Sequence, residues 1–423
     1  MMSEAYKQAH TFGMDFGTSH FKFGPITSGE RPDVIENRGY FTDRTSLIQQ
    51  VSGPVENVIV GKDIPLYLES REDLSTRLVY PMRNGVIQKD NDRSWTVVRE
   101  IARFALEAHR PPDSRFLGYY LVASLSAVSP RYMYEKLFDT LRNIDSEFGS
   151  VMAATIIPQP FSVAIAHKTP TCVVIESGHG NSQICPISRY PVRNAVVAIN
   201  RGGGDGSALT AEILKDCGYG DLIHEESFVR NVKENIGLIP ADLDASIQLA
   251  KNNPEKFRAV YRVPGTRITI DLAENSWMRF LIGEYIFDPE HELFQSYFSR
   301  GLRKPGDVRF GDTVFRGMLD FGDAIVEAVE RCPVELQSHL YRQILLSGGN
   351  FAWQVPAGME DAAVSAPAKV KTLLEEKGIA DPTVTIAQNP QYSVWRGCIV
   401  YGYAVTADFS WTWEKFEGWL NLR

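Results

Sequence analysis

TCVVIESGHGNSQICPI, residues 171–187, is the stretch on which the fold turns. Val173, Val174 and Ile175 form a β-branched apolar run of the kind that fills a buried strand. The run stops at Glu176, and the chain turns through Gly178 and Gly180 with His179 between them before Pro186 and Ile187 close the return. Two readings fit. One is a hairpin with a solvated acid at its tip. The other is a loop that brings backbone N–H groups and one carboxylate to a phosphate and its metal, since glycine lets the backbone approach a ligand closely.

An echo near the amino terminus favours the second reading. TFGMDFGTSHFKFGPI, residues 11–26, has the same plan: apolar strand, acid, glycine turn, returning strand, then Pro-Ile. Asp15 precedes Pro25 by ten residues, and Glu176 precedes Pro186 by ten. Matched spacing points to two related α/β halves, each presenting an acid-tipped hairpin, and clefts between such lobes are where ligands bind. In the first hairpin Gly17 frees the backbone, Thr18 and Ser19 add hydroxyl donors, His20 follows, and Lys22 can neutralise phosphate charge. Asp15 can hold waters of a magnesium ion, a hard cation that keeps much of its hydration shell. In the second hairpin Glu176 adds another carboxylate, while Ser177, Gly178, Gly180, Asn181 and Ser182 supply donors for a triphosphate tail. A third apolar run reaches a glycine turn in RQILLSGGN, residues 342–350, where Gly348 and Gly349 leave room for a flat base.

The whole chain narrows the function classes. Its 423 residues suggest two or three domains, and 44% hydrophobic with 23% charged residues is an ordinary globular composition. A formal net charge of −8 argues against nucleic-acid or anionic-membrane partners, so acidic ligands must be held locally by backbone donors and a metal. Cysteines 172, 185, 217, 332 and 398 make no CxxC pair, which suggests neither a disulfide framework nor a zinc site. The polar start MMSEAYKQAHTFG lacks the core of a signal peptide, and no run approaches the ~18 apolar residues of a spanning helix. A cytoplasmic protein without membrane insertion is expected. Strand-like runs alternate with amphipathic helices expected at 95–108, 132–148, 207–217, 225–236, 323–331 and 394–404, an α/β layering. A buried strand is expected within 118–128, and exposed loops at 41–57 and 288–306.

The ordered motifs DFGTSHFKFG, ESGHGNS, LSGG and YSVWRG resemble the actin family, most closely its archaeal members. VYPMRNGVI at 79–87, SPRYMYEKLFD at 129–139, IIPQPFSVAIA at 156–166 and RNVKENIG at 230–237 extend the resemblance to nearly the full chain. It implies an actin-like ATPase fold, α/β, with two duplicated RNase-H-like lobes of four subdomains around a nucleotide cleft. Lobe I would comprise 1–166 and 393–423, with subdomain 2 at about 37–79. Lobe II would comprise 167–392, with subdomain 4 at about 202–294. The implied cofactors are ATP or ADP with Mg2+, the implied reaction is ATP hydrolysis, and the implied partner is the chain itself in a head-to-tail filament, with accessory cytoskeletal proteins.

Carried over by position, the resemblance makes Asp15 and Glu176 organisers of the magnesium hydration shell. Gly17, Thr18, Ser19, His20 and Lys22 fall on the first phosphate loop, and Ser177 through Ser182 on the second. Gln159 and Gln183 would orient the attacking water. Gly203 and Asp205, in RGGGDGS, would lie near the ribose. Arg230, Lys233 and Glu234 at i, i+3 and i+4 share one helical face, with Glu234 for the ribose hydroxyls and the two cations beside the base. Gly348, Gly349, Asn350 and Phe351 would form the other wall of the base pocket, with Gln391 near the base.

The sequence departs from eukaryotic actins, which have aspartate at the positions of Glu176 and His179, histidine at that of Gln183 and lysine at that of Gln391. His179 therefore alters the charge expected near the γ-phosphate, and Gln183 can orient a water but not act as a base. Two rival readings use the same lobes: a small-molecule kinase of the sugar-kinase type, for which no acceptor-side carboxylate base stands out, and a scaffold that binds ATP without hydrolysing it. By the same resemblance, loop 41–57 would insert into the next subunit and 287–300 would face a second strand.

The remaining features read as structural. Histidines 10, 109, 167, 224, 291 and 339 show no metal-ligand spacing. The tail FSWTWEKFEGWL is read as packing on its own lobe rather than as a partner-binding helix, and Gly397 and Gly402 as sites of close helix packing. The acidic cluster from Asp288 to Glu292 reads as a solvated loop face.

Overall fold

The structure is a computed structural model and describes residues 4–42, 58–67, 77–310 and 313–423. The subunit-insertion loop expected at 41–57 lies outside the described residues from position 43 onward. The chain divides into two compact units, Met1–Lys168 with Tyr392–Arg423, and Thr169–Gln391.

In the first unit, β1 (Thr11–Phe16) pairs antiparallel with β2 (His20–Pro25), which pairs antiparallel with β3 (Asp33–Glu36). On its other side β1 runs parallel to β4 (Tyr119–Leu125), and β4 parallel to β5 (Val151–Pro158). Strands β1, β4 and β5 are apolar almost without interruption and buried at nearly every residue, the pattern of a parallel sheet covered on both faces. Helix α2 (Arg131–Phe148) packs on β5, α3 (Gln159–Ala166) packs on β4 and β5, and α1 (Asp92–Ala108) packs against α2. Asn91 caps α1 by accepting from Ser94 N, which satisfies one of the orphan amides of its first turn.

The second unit repeats this order. Strand β6 (Thr171–Ser177) pairs antiparallel with β7 (Ser182–Ser188), and β7 antiparallel with β8 (Val197–Ile199). On the other side β6 runs parallel to β9 (Ile344–Ser347), and β9 parallel to β10 (Val384–Ile386). The duplication extends to register. Asp15 lies opposite Lys22 and beside Ser124, and Glu176 lies opposite Gln183 and beside Ser347.

Helices α4 (Gly203–Asp216), α5 (Glu226–Ile236) and α6 (Arg279–Phe287) build a second core in this unit around Leu209, Val232, Ile236, Phe280 and Tyr285. Helix α4 starts four residues earlier than the expected 207, through a glycine run that alone disfavours helix. Asp205 explains the early start: its carboxylate accepts from Gly202 N at 3.0 Å and caps the helix. The expected loop 288–306 is corrected in part. It contains α7 (Leu293–Ser299), because Phe294 and Tyr297 recur at helical spacing and are buried in the second core, Phe294 against Tyr285.

The chain returns to the first unit in α8 (Ser393–Ala404). A Cβ at Gly397 would stand 1.9 Å from the Ser162 carbonyl of α3, and one at Gly402 2.6 Å from Thr11 Cγ2 of β1, so both glycines set close packing. The aromatic tail is not helical. Trp419 packs on Tyr120, Phe416 on Tyr134, and Trp411 and Trp413 on Phe138 of the same unit. Among the described residues no helix is long and apolar enough to cross a membrane.

Candidate functional site

Asp15 sits at the end of β1, 1% exposed, and its two carboxylate oxygens are divided among three donors. Lys22 Nζ approaches Oδ2 at 2.8 Å, from the register partner on β2. Gln159 Nε2 donates to Oδ1 at 2.9 Å from the first residue of α3, and Ser124 Oγ donates to the same oxygen at 3.2 Å from β4. The carboxylate is thus fixed by a cation, an amide and a hydroxyl from three different elements.

Gln159 has a determined orientation. Its Nε2 faces both Asp15 Oδ1 and, at 3.3 Å, the Phe16 carbonyl, two acceptors that only the NH2 end of the amide can satisfy. With both N–H groups committed, the group left to act on a ligand is the amide oxygen, an acceptor. The turn after β1 is held from outside: Gly85 N donates to Thr18 Oγ1 at 3.0 Å, and Asn37 donates to the Gly17 carbonyl at 2.8 Å. A Cβ at Gly17 would meet the His20 carbonyl at 2.7 Å, so the turn requires glycine there. Thr18, Ser19 and His20 are half-buried on this turn.

In the second unit the corresponding carboxylate, Glu176, receives Gln183 Nε2 on Oε2 at 3.3 Å. The same amide donates to Asn181 Oδ1 at 3.4 Å. The turn is closed by Gly178 N to the Asn181 carbonyl at 3.0 Å, with His179 and Gly180 at its tip. It is joined to the start of α4, where Gly203 N donates to the Gly178 carbonyl at 2.9 Å and Gly204 N to the His179 carbonyl at 2.7 Å. A Cβ at Gly202 would lie 2.5 Å from the His179 carbonyl, which accounts for the glycine. Asn350 ties the turn to the end of β9, its Nδ2 donating to Ser177 Oγ at 3.0 Å and to the Gly178 carbonyl at 2.8 Å. Ser177 Oγ and Ser182 Oγ lie 2.7 Å apart, and Ser182 Oγ donates to the Arg201 carbonyl at 3.0 Å.

Charge here is set by burial. Burial first, then the Lys233 and Arg230 cations, bring the His179 pKa down to about 4, so the imidazole is neutral at physiological pH. Its Nε2 lies 3.6 Å from Glu226 Oε1. Lys233 is buried, donates to the Gly203 carbonyl at 2.8 Å, and is pushed down to about 8 chiefly by loss of solvent. Burial raises the Asp205 pKa, against the opposing effect of its bond from Gly202 N.

The predicted base-side residues differ in burial, though Arg230, Glu234 and Asp205 all act on Lys233 electrostatically. Lys233 turns inward onto α4, while Arg230 is half-buried and Glu234 exposed on the same helix. Asp205 is occupied as the α4 cap. Gly348 has a φ of +103° and stands where a Cβ would be 2.1 Å from the Ser177 carbonyl, so it is required by the approach of β9 to β6. Gly349 is exposed with open space over its Cβ position, as a residue against a ligand would be. The Phe351 ring is buried in the sheet core near Phe287 and Phe321 rather than facing outward, and Gln391 is exposed.

Four contributors were not singled out from the sequence. Ser124, Asn37 and Gly85 reach the first turn from segments far along the chain. Arg201 is fully buried and donates to the carbonyls of Ile286, Gly317 and Leu319, with no carboxylate among these partners. Only the register of β4 against β1 identifies Ser124.

Among the described residues no group of three or more His, Cys, Asp or Glu could hold a metal ion by itself. One anchored carboxylate per hairpin suits Mg2+, which keeps several waters and takes further ligands from substrate phosphates.

Comparison with known proteins agrees with this architecture. The family model described as Actin matches residues 219–413. An actin-like protein of Neurospora crassa is 23% identical over 414 residues, spanning 94% of this chain and 93% of that protein. The chain is thus similar to actin over residues 219–413 and to an actin-like protein over most of its length, and its two duplicated α/β units have the actin-like ATPase fold.

Proposed function

We propose that this chain binds Mg-ATP through both acid-tipped hairpins, hydrolyses it, and assembles head to tail into cytoplasmic filaments as a crenactin-like archaeal actin. The observation that carries the reading is the shared register of Asp15 and Glu176, each at the end of the central strand of its own sheet and each held by a side-chain amide. Two surface hairpins with solvated acids would need neither the match nor the anchoring.

The bound ion would neutralise charge on the transferring phosphoryl group. The chain's own residues would do the rest. Lys22, already paired with Asp15, places a cation at the edge of the first turn. The backbone amides of 18–19 and 179–181 would provide donors for phosphate oxygens, those of Gly17 and Gly178 being engaged within their own turns. Gln159 presents its amide oxygen because both its N–H groups are engaged, and an oxygen acceptor is what orients a water for in-line attack. Gln183 would assist from the second hairpin. Neutral His179 can donate one hydrogen bond without adding charge. No covalent intermediate is required. Hydrolysis would alter the contacts that a subunit makes, and a heterologous, non-closing contact generates a filament.

Neutral His179 in place of an acid also favours a second reading, a scaffold that holds ATP without turnover. High-speed pelleting with ATP and Mg2+, coupled to phosphate release, separates the readings. Pelleted protein with phosphate release supports the proposal, tight binding without release supports the scaffold, and transfer to a sugar without pelleting would make the protein a kinase. Glu176→Gln should retain nucleotide and lose turnover; unchanged turnover removes Glu176 from the mechanism.

A further inference from the structure

We infer that Asn37, which follows β3 and is fully buried, is a positioning residue for the triphosphate: it turns the carbonyls of the first loop away from the ligand so that the loop's amides face it. The inference rests on the nucleotide reading proposed above.

Asn37 makes two bonds to the turn between β1 and β2, and both go to carbonyls. Its side-chain Nδ2 donates to the Gly17 oxygen at 2.8 Å, and its own backbone N donates to the Ser19 oxygen at 2.8 Å. The peptide unit is planar and trans, so a carbonyl and the N–H that follows it point in opposite directions. Fixing the Gly17 carbonyl on Asn37 therefore aims the Thr18 N–H to the opposite side. Gly85 N takes Thr18 Oγ1 as an acceptor, which steadies the same residue and leaves its hydroxyl hydrogen for another partner. A loop that binds phosphate must keep carbonyl oxygens away from an anion, and here one asparagine holds two of them.

The side chain is chosen for this task. Its Oδ1 is buried and has no hydrogen-bond partner among the described residues, so half of the amide's capacity is given up while the Nδ2 bond is kept. A residue serving only to fill space in this position would be apolar. The backbone bond to Ser19 is independent of the side chain and survives substitution, so the ladder between β2 and β3 is retained in variants.

Two variants test the inference by calorimetric titration with Mg-ATP, Mg-ADP and AMP. Asn37→Ala removes the donor and should weaken Mg-ATP and Mg-ADP by about fivefold, the ordinary worth of one hydrogen bond. Asn37→Asp places an acceptor and a negative charge against the Gly17 carbonyl and the bound anion, and should weaken both by more than about tenfold. AMP, which lacks the outer phosphates, should change less than about twofold in either variant. Melting of the nucleotide-free variants within a few degrees of wild type shows that folding is intact, and Asn37→Ala supplies the decision if Asn37→Asp melts early. Unchanged Mg-ATP affinity, or equal losses for Mg-ATP and AMP, overturns the inference. Failure of the wild type to bind Mg-ATP would instead overturn the nucleotide reading on which it stands.

Discussion

Gly397→Ala couples packing to chemistry in the first unit. Gly397 lies within α8, and the methyl added by the substitution would stand 1.9 Å from the Ser162 carbonyl oxygen on α3. Carbon and oxygen do not approach closer than about 3 Å, so the two helices must part by roughly 1 Å, the difference between that limit and 1.9 Å. Ser162 lies three residues beyond Gln159 on the same helix, so the displacement carries Gln159 with it. Its bond to Asp15, 2.9 Å in the native protein, would stretch to roughly 4 Å, beyond hydrogen-bond range. Overpacking costs about 1–3 kcal/mol and loss of a bond to a carboxylate about 1.5–3 kcal/mol, offset by about 1 kcal/mol of better helix propensity. A net loss of about 3 kcal/mol is expected, read as a lowered urea midpoint by circular dichroism. Phosphate release at saturating ATP should fall by up to about a hundredfold, since a shift of about 1 Å suffices to misplace a water. Native midpoint together with native turnover would refute the coupling between α8, α3 and Gln159.

Three further outcomes follow from the second unit. Gly349→Ala should leave the melting temperature unchanged, because no described residue lies within 4 Å of the new methyl, yet weaken nucleotide binding if this residue lines the base; equal affinity would remove it from the pocket. His179 has a folded pKa of about 4 against an ordinary 6.5, so the stability it contributes is complete above pH 6.5 and is lost as pH falls towards 4. His179→Asn should flatten that part of the melting profile, and identical wild-type and variant profiles would contradict the assignment. Lys233, at about 8 against 10.5, behaves likewise at alkaline pH: relative to Lys233→Met, the wild type should gain about 3 kcal/mol as pH rises from about 8 to 10.5. A constant difference across that range would show that the lysine is not buried as a cation.

What the sequence disclosed was contiguous. Each hairpin is readable within sixteen or seventeen residues, because the acid, the glycine turn and the returning strand lie side by side in the chain, and the matched Pro-Ile spacing carries the duplication. The amphipathic helices were legible for the same reason: their buried stripe is a local pattern. Ser124, Asn37 and Gly85 were not, because they meet the first turn only through sheet pairing and loop closure across many residues. The helix Leu293–Ser299 was hidden in a polar stretch because two aromatic anchors, Phe294 and Tyr297, suffice to fasten it. Lys233 showed helical spacing with Arg230 and Glu234, but spacing alone does not tell which member turns inward.

The shared grip of the two hairpins on one nucleotide is best decided by a structure of the protein with Mg2+ and a non-hydrolysable ATP analogue. Phosphate oxygens should then lie within hydrogen-bond distance of amides from both 18–19 and 179–181, with the metal's waters on Asp15 and Glu176. Phosphates held by one turn alone, or either carboxylate directed into bulk solvent away from the metal, would contradict it.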